Sequence, residues 1–212
     1  MKWLQKQLIG TISPSLLNHG FVYISDQEMF IKTLVDVAYH FQVRCINKKG
    51  GILIEPGIGV RIELVEKIFH RTSGFEPGYQ KWTSTIGAAI WRLEDKPKNF
   101  QYLLTGGESI SNIARQLLSV FDTIALPYYS AYSSLEAIDH LLNDYPLKKT
   151  PHRTMEWLRA STGVIIAQLV GRDEYEKLKE EYRKKVACID KGFYLPQFDA
   201  LIEDLRSVER IL

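Results

Sequence analysis

Residues 39–66, YHFQVRCINKKGGILIEPGIGVRIELVE, alternate apolar and polar side chains, pause at Lys48-Lys49-Gly50-Gly51, and alternate again. A period of two places Phe41, Val43 and Cys45 on one face of a strand and His40, Gln42 and Arg44 on the other. The same rule sends Ile54, Val60, Ile62 and Leu64 inward and leaves Glu55, Arg61 and Glu63 outward. Two such runs around a glycine-bearing turn predict an antiparallel hairpin with one dry and one wet face. Pro56, Gly57 and Gly59 interrupt the second run, which suits an edge strand, a bulge or a sharp bend.

On either side of this hairpin the pattern supplies more strands and then helices. Trp3, Leu4, Leu8, Ile12 and Leu16 recur at helical spacing, with Pro14 as a cap or kink and Gly20 as a C-terminal stop. Phe21 to Ile24 reads as a short strand. Residues 28–38 carry both patterns: Ser25 and Glu28 match a capping box, while Phe30, Ile31, Thr33, Val35 and Val37 are strand-prone types, and a strand turning near Asp36 is favoured. Thr83 to Leu93 and Phe100 to Thr105 read as further strands around a polar turn at 95–99. After Gly106-Gly107 the period changes. Ile110, Ile113, Ala114, Leu117, Leu118, Phe121 and Ile124 form a helical stripe that Pro127 is expected to stop. Ser133 and Glu136 form a capping box for the next helix. Three more helices follow, over 154–170, from Asp173, and from Pro196. On the second of these, Asp173 with Lys177, Glu180 with Lys184 and Glu181 with Lys185 have i,i+4 spacing.

The predicted class is therefore α+β: an antiparallel sheet of about five strands, packed by an N-terminal helix and a C-terminal helical set. The polar connector between Pro146 and Pro151 divides a sheet domain over 1–150 from a helical extension over 151–212, docked on the same domain. At 212 residues with 45% hydrophobic side chains, the chain can bury a core without disulfides. Cys45 and Cys188 sit in apolar patterns and read as buried free thiols, with a disulfide or a metal site as alternatives. A formal charge of +2 is too balanced for a nucleic-acid binder. The opening residues hold no apolar run of signal-peptide length, and no stretch is long enough to span a membrane, so the expected location is cytoplasmic.

Several short phrases, taken in order, are similar to a known group. They are Asn18-His19-Gly20-Phe21 closing the first helix, the Phe30 strand leading into His40-Phe41-Gln42-Val43, Gly59-Val60-Arg61, Trp91, Gly171-Arg172-Asp173-Glu174-Tyr175, and Glu181-Tyr182-Arg183. In these the chain resembles the bacterial domain-of-unknown-function proteins numbered forty-three-oh-four. That resemblance implies an antiparallel sheet packed by helices and no established activity. By analogy with small bacterial proteins of similar build, it also raises a toxin-neutralising role. The Pro56-Gly57-Ile58-Gly59 break and the long helical tail depart from it, and no residue role is carried over.

The side chains themselves exclude several chemistries. None of His19, His40, His70, His140 and His152 forms H-E-x-x-H or pairs with a cysteine at ligand spacing, so no metal is predicted. Glu136 and His140 are spaced for a surface ion pair. Gly57-Ile58-Gly59 lacks the third glycine of a dinucleotide fingerprint, and Thr105-Gly106-Gly107-Glu108-Ser109 lacks the lysine of a phosphate loop. No serine lies in G-x-S-x-G. No cofactor and no catalytic residue is assigned. What remains is a surface: Trp91 beside Gly87 and Ala89 leaves a shallow trough, and His40, Arg44, Glu55, Arg61 and Glu63 surround it with charge. Tryptophan and arginine dominate contact energies, so the predicted function is a non-catalytic module that binds a protein partner. A small-ligand protein or enzyme, with His40, Arg44 and Glu55 lining a pocket between sheet and helices, is the alternative. The plainer reading of the same surface is cross-strand charge pairing with Trp91 under a helix.

Overall fold

The computed structural model describes residues 2–93 and 100–209; the polar turn expected at 95–99 lies outside them. The chain is α+β, and the described residues form six strands in one antiparallel sheet. These are β1 (Val22–Ile24), β2 (Met29–Thr33), β3 (Val37–Lys48), β4 (Gly51–Ile62), β5 (Ile86–Ala89) and β6 (Tyr102–Leu104). The helices are α1 (Lys2–Asn18), α2 (Glu63–His70), α3 (Pro77–Gln80), α4 (Ile110–Val120), α5 (Leu126–Ala131), α6 (Leu135–Asn143), α7 (Glu156–Leu169), α8 (Tyr175–Cys188) and α9 (Leu195–Leu205). No helix among the described residues is long and apolar enough to cross a membrane. Two compact units emerge, Met1–Val60 with Gly87–Ser130 and Arg61–Ile86 with Ala131–Leu212.

In the first unit the strands run in the order β1-β2-β3-β4-β5, and β6 also pairs with β4. Residues 28–38 resolve as β2, a turn, and the start of β3, with Phe30 opposite Phe41. The β3–β4 turn is Lys49-Gly50, and Gly50 has φ 92°, which a side chain would disfavour. A two-residue turn sets Lys48 against Gly51 and hence Arg44 against Glu55, and these two form an ion pair at 3.7 Å. β4 is not an edge strand. β3 holds one side of it, while β6 (opposite Ile52–Ile54) and β5 share the other. Pro56, with no N–H to offer, falls between the segment paired to β6 and the one beside β5. Gly87 is needed there, since a Cβ would sit 2.7 Å from the Ile58 carbonyl oxygen.

The core of this unit is aromatic. Phe121 meets Phe21 at 5.1 Å and Phe41 at 5.2 Å between ring centroids, and Tyr39 stacks on Tyr129 at 4.7 Å. Leu4, Leu8, Ile12 and Leu16 of α1 are buried, and α1 packs on α4; Trp3, expected on the same stripe, is exposed. α1 continues past Pro14 to Asn18. Pro127 does not stop the second stripe either: a π-helical turn over Phe121–Ala125 carries it into α5, which contains the proline. The wider turn offers the local adjustment that a proline without an N–H requires.

In the second unit α7 packs against α2, α6, α8 and α9. α6 and α7, on either side of residue 150, are thus in direct contact. The cap of α6 is Ser134 rather than Ser133, its hydroxyl accepting from the Ala137 N–H at 3.2 Å. Gly163 of α7 allows close packing, because a Cβ would lie 2.6 Å from Asn143 Oδ1 and 2.9 Å from the Tyr182 hydroxyl. Both atoms are committed: the Tyr182 hydroxyl donates to Asn143 Oδ1 at 2.8 Å, and Asn143 Nδ2 donates to Asp139 at 2.6 Å and to the Gly163 carbonyl at 3.0 Å. The ion pairs of α8 also differ from the expected i,i+4 set. Lys179 pairs with Glu176, Arg183 with Asp199 at 2.8 Å, and Lys185 with Glu156 at 3.3 Å. His140 pairs with Asp144 at 3.1 Å in place of Glu136. Both cysteines are free thiols; Cys45 is half-buried, and Cys188, against expectation, is exposed.

Candidate functional site

The six residues of the predicted sheet surface separate. In the first unit Arg44 is exposed and paired with Glu55, which also accepts from the Gln101 amide. His40 shares the strand parity of Arg44 but is only 4% exposed, so its expected outward position is corrected. Its carbonyl oxygen accepts from the Tyr129 hydroxyl at 2.8 Å. Trp91 does not stand on a strand face: β5 ends at Ala89, and Ile90–Arg92 form a 3-10 turn. The trough beside Gly87 and Ala89 is therefore not formed as predicted. The Arg92 guanidinium lies 4.7 Å from the Trp91 ring centre, and Trp91 Nε1 is buried without an acceptor among the described residues.

Arg61 and Glu63 belong to the second unit. Glu63 is not on a strand; it opens α2, where its negative charge suits the helix N-terminus. Arg61 is 6% exposed, which corrects its outward placement. Burial of a guanidinium is tolerable only with its donors met. Arg61 Nε donates to Glu63 at 2.8 Å, and Nη1 to the Gln80 carbonyl at 2.8 Å and to the Thr83 carbonyl and hydroxyl at 3.0 and 2.9 Å. The bond from Arg61 is the main reason the Glu63 carboxyl is held below its ordinary range.

These bonds lead to a buried acidic centre that the sequence reading missed. Glu66 and His70 are four apart on α2, on one helical face. Thr83 donates its hydroxyl to Glu66 Oε2 at 2.5 Å, and Thr85 donates to Oε1 at 2.9 Å while accepting from the Ile62 N–H at 2.9 Å. His70 Nε2 lies 2.8 Å from the Thr83 hydroxyl and 3.5 Å from Glu66. Its Nδ1 lies 2.8 Å from Ser73 Oγ, which also accepts from the Phe75 N–H at 3.2 Å. Burial alone would raise the Glu66 pKa. Hydrogen bonds from His70 and Thr83 and the charges of Arg153 and Arg61 outweigh it and hold the carboxyl at about 2. The order Ser73–His70–Glu66 has the residue types of a hydrolytic triad. Yet Ser73, Glu66 and the His70 side chain are sealed, which leaves an incoming carbonyl no approach. This centre ties α2 to the loop through Thr85. The signal for it was the stripe Val65, Ile68, Phe69, whose helical spacing begins before the strand alternation has ended.

Two features of the second unit reach the surface. The first is a cavity of about 240 Å³ lined by Lys149, Thr150, Arg153, Thr154, Glu156 and Arg159. Arg153 donates to the Ser84 carbonyl at 2.6 Å. Burial lowers its pKa from the ordinary arginine value, while the charge of Glu66 works the other way. Arg159 donates to the carbonyls of Leu142 and Tyr145 at 2.7 and 2.8 Å and to that of Lys148, and so holds the chain that leaves α6.

The second feature is Phe193, 76% exposed. It follows three residues with positive φ, Asp190 at 45°, Lys191 at 57° and Gly192 at 80°. Behind it runs a ladder of rings. Phe193 meets Tyr194 edge-on at 5.1 Å, and Tyr194 stacks on Trp157 at 4.5 Å with 5° between planes. Trp157 in turn lies 6.5 Å from Phe75.

Among the described residues no group of three or more His, Cys, Asp or Glu side chains could hold a metal ion. No family model, curated protein or solved structure matches this chain.

Proposed function

We propose that this chain acts by binding a protein partner, with Phe193 at the contact. The observation that supports this reading is the backbone behind that side chain. Asp190 and Lys191 both occupy the left-handed region, where non-glycine residues cost on the order of 1 kcal/mol each. Such strain persists where a particular local shape is needed, and here it precedes a large aromatic side chain turned to the surface. Exposed apolar residues occur singly on many proteins. Phe193 differs in resting on a stacked Tyr194–Trp157 pair that limits its freedom before any partner arrives. Rigid aromatic anchors are the side chains that contribute most at protein contacts. The sheet surface around Arg44 and Glu55 has less in its favour, since His40 and Arg61 are withdrawn from it.

Affinity capture from the source cells with wild-type chain and with Phe193→Ala tests the reading. A protein retained by the first and lost with the second is expected. Equal recovery on both would overturn it. A toxin encoded beside this chain's gene is the first partner to try, by analogy with small bacterial proteins of similar build. A small-ligand role is the second reading, favoured by the basic cavity at the start of α7.

A further inference from the structure

We infer that the cavity at the start of α7 is a binding site for a phosphoryl group, as free phosphate or as a small phosphomonoester. Its lining sets three cationic side chains, Lys149, Arg153 and Arg159, against one carboxylate, Glu156. That carboxylate is already engaged from α8, by Lys185 at 3.3 Å. Arg153 is answered by the buried Glu66, and Lys149 and Arg159 are left as positive charges with no ion pair among the described residues. Like charges gathered around a cavity repel one another unless an anion sits between them.

The hydrogen-bond inventory points the same way. Arg159 is 3% exposed, and its Nε, like that of Arg153, is buried with no acceptor among the described residues. A buried N–H without a partner calls for an acceptor, and an anion oxygen in the adjoining cavity is one. Thr150 and Thr154 add hydroxyl donors to the lining. Met155 precedes α7 without a side-chain cap, so the first-turn N–H groups of a 14-residue helix begin beside the cavity with no side chain bonded to the cap. The terminal guanidinium nitrogens of Arg159 are held by backbone carbonyls, which leaves the two arginine Nε–H groups and the hydroxyls as the donors for the oxygens of a tetrahedral phosphoryl group. At about 240 Å³ the space falls below the usual range for drug-sized ligands, roughly 300–1,000 Å³. It suits a small phosphomonoester or free phosphate.

Thermal unfolding of the full chain tests this, in inorganic phosphate, in glycerol phosphate, and in sodium chloride at matched ionic strength. Lys149→Glu is the variant, because Lys149 is exposed and substitutions at exposed positions change stability little. The wild-type midpoint should rise with either phosphate and not with chloride. The variant should need at least about tenfold more phosphate for the same rise. A larger response to glycerol phosphate than to inorganic phosphate would identify an organic ester as the ligand; equal responses would identify free phosphate. No rise beyond that in chloride, or the same rise in Lys149→Glu, would overturn the assignment. Neither result depends on Phe193, so this site and the proposed partner contact stand or fall separately.

Discussion

The Thr83 hydroxyl donates to the Glu66 carboxylate at 2.5 Å, and both groups are enclosed with Arg61, His70 and Thr85. Thr83 belongs to the loop that follows α3 and Glu66 to α2, so the bond joins positions 17 apart in the chain. A carboxylate in this position must stay ionised for the network to hold.

That requirement sets an acid limit on stability. The Glu66 carboxyl is held at about 2 in the folded chain against an ordinary value of 4.5. A folded pKa below the unfolded one contributes stability that is fully present above about 4.5 and is lost as pH falls toward 2. The contribution is on the order of 3 kcal/mol. Urea midpoints measured from neutral pH down to the lower end of that window should fall steeply in wild type. In Glu66→Gln the stability should be lower already at neutral pH, by about 3–5 kcal/mol, since Arg153 and Arg61 lose a buried counter-charge. The further loss in acid should be smaller than in wild type.

Two helical glycines should respond oppositely to alanine. Alanine favours a helix over glycine by about 1 kcal/mol. At Gly10 nothing lies within 4 Å of the added methyl, so Gly10→Ala should stabilise by about 0.5–1 kcal/mol. At Gly163 the methyl would meet Asn143 Oδ1 at 2.6 Å and two atoms of Tyr182 at 2.8 and 2.9 Å. These side chains are buried and bonded to each other, so they cannot yield cheaply. Overpacking of this kind costs about 1–3 kcal/mol, and Gly163→Ala should lower the melting temperature.

The thiols should differ in reactivity. Cys45 is pushed up to about 12, by burial first and by the charge of Glu28 second, so little thiolate forms at mildly alkaline pH. Cys188 is exposed. A disulfide reagent should modify one thiol per chain quickly, and Cys188→Ser should remove that phase. Fast modification of both thiols in the folded chain would contradict this difference.

How far the sequence could be read depended on which physical signal each element carried. The β3–β4 hairpin was legible because Phe41, Val43, Ile54 and Val60 alternate around a glycine turn, and all four are buried. The stripe from Ile110 to Phe121 was legible because its period is unambiguous. The strand reading overran into α2 because Leu64 prolongs the alternation of Val60 and Ile62 past the helix start at Glu63, although Leu64, expected inward, is exposed. Parity along a strand says which side chains share a face, but not whether that face is covered, which is why His40 and Arg61 were placed outside. Trp91 was misplaced for a different reason. Its neighbours are strand-prone in type, while the chain turns after Ala89. For the Glu66 centre the helical stripe marks α2 alone; its partners Thr83, Thr85 and Arg153 come from elsewhere in the chain, and no local spacing joins them. The Phe193 surface depends on backbone angles at Asp190 and Lys191, residues that do not advertise a left-handed turn as glycine would.

The most direct test of the partner contact is photo-crosslinking inside the source cells. A photoreactive phenylalanine analogue replaces Phe193 in one strain and Val35, which is 93% exposed and far from any proposed contact in sequence, in another. A discrete adduct of defined mass from position 193, absent from position 35, is the predicted result. No adduct from 193, or the same adducts from both positions, would contradict a partner contact at Phe193.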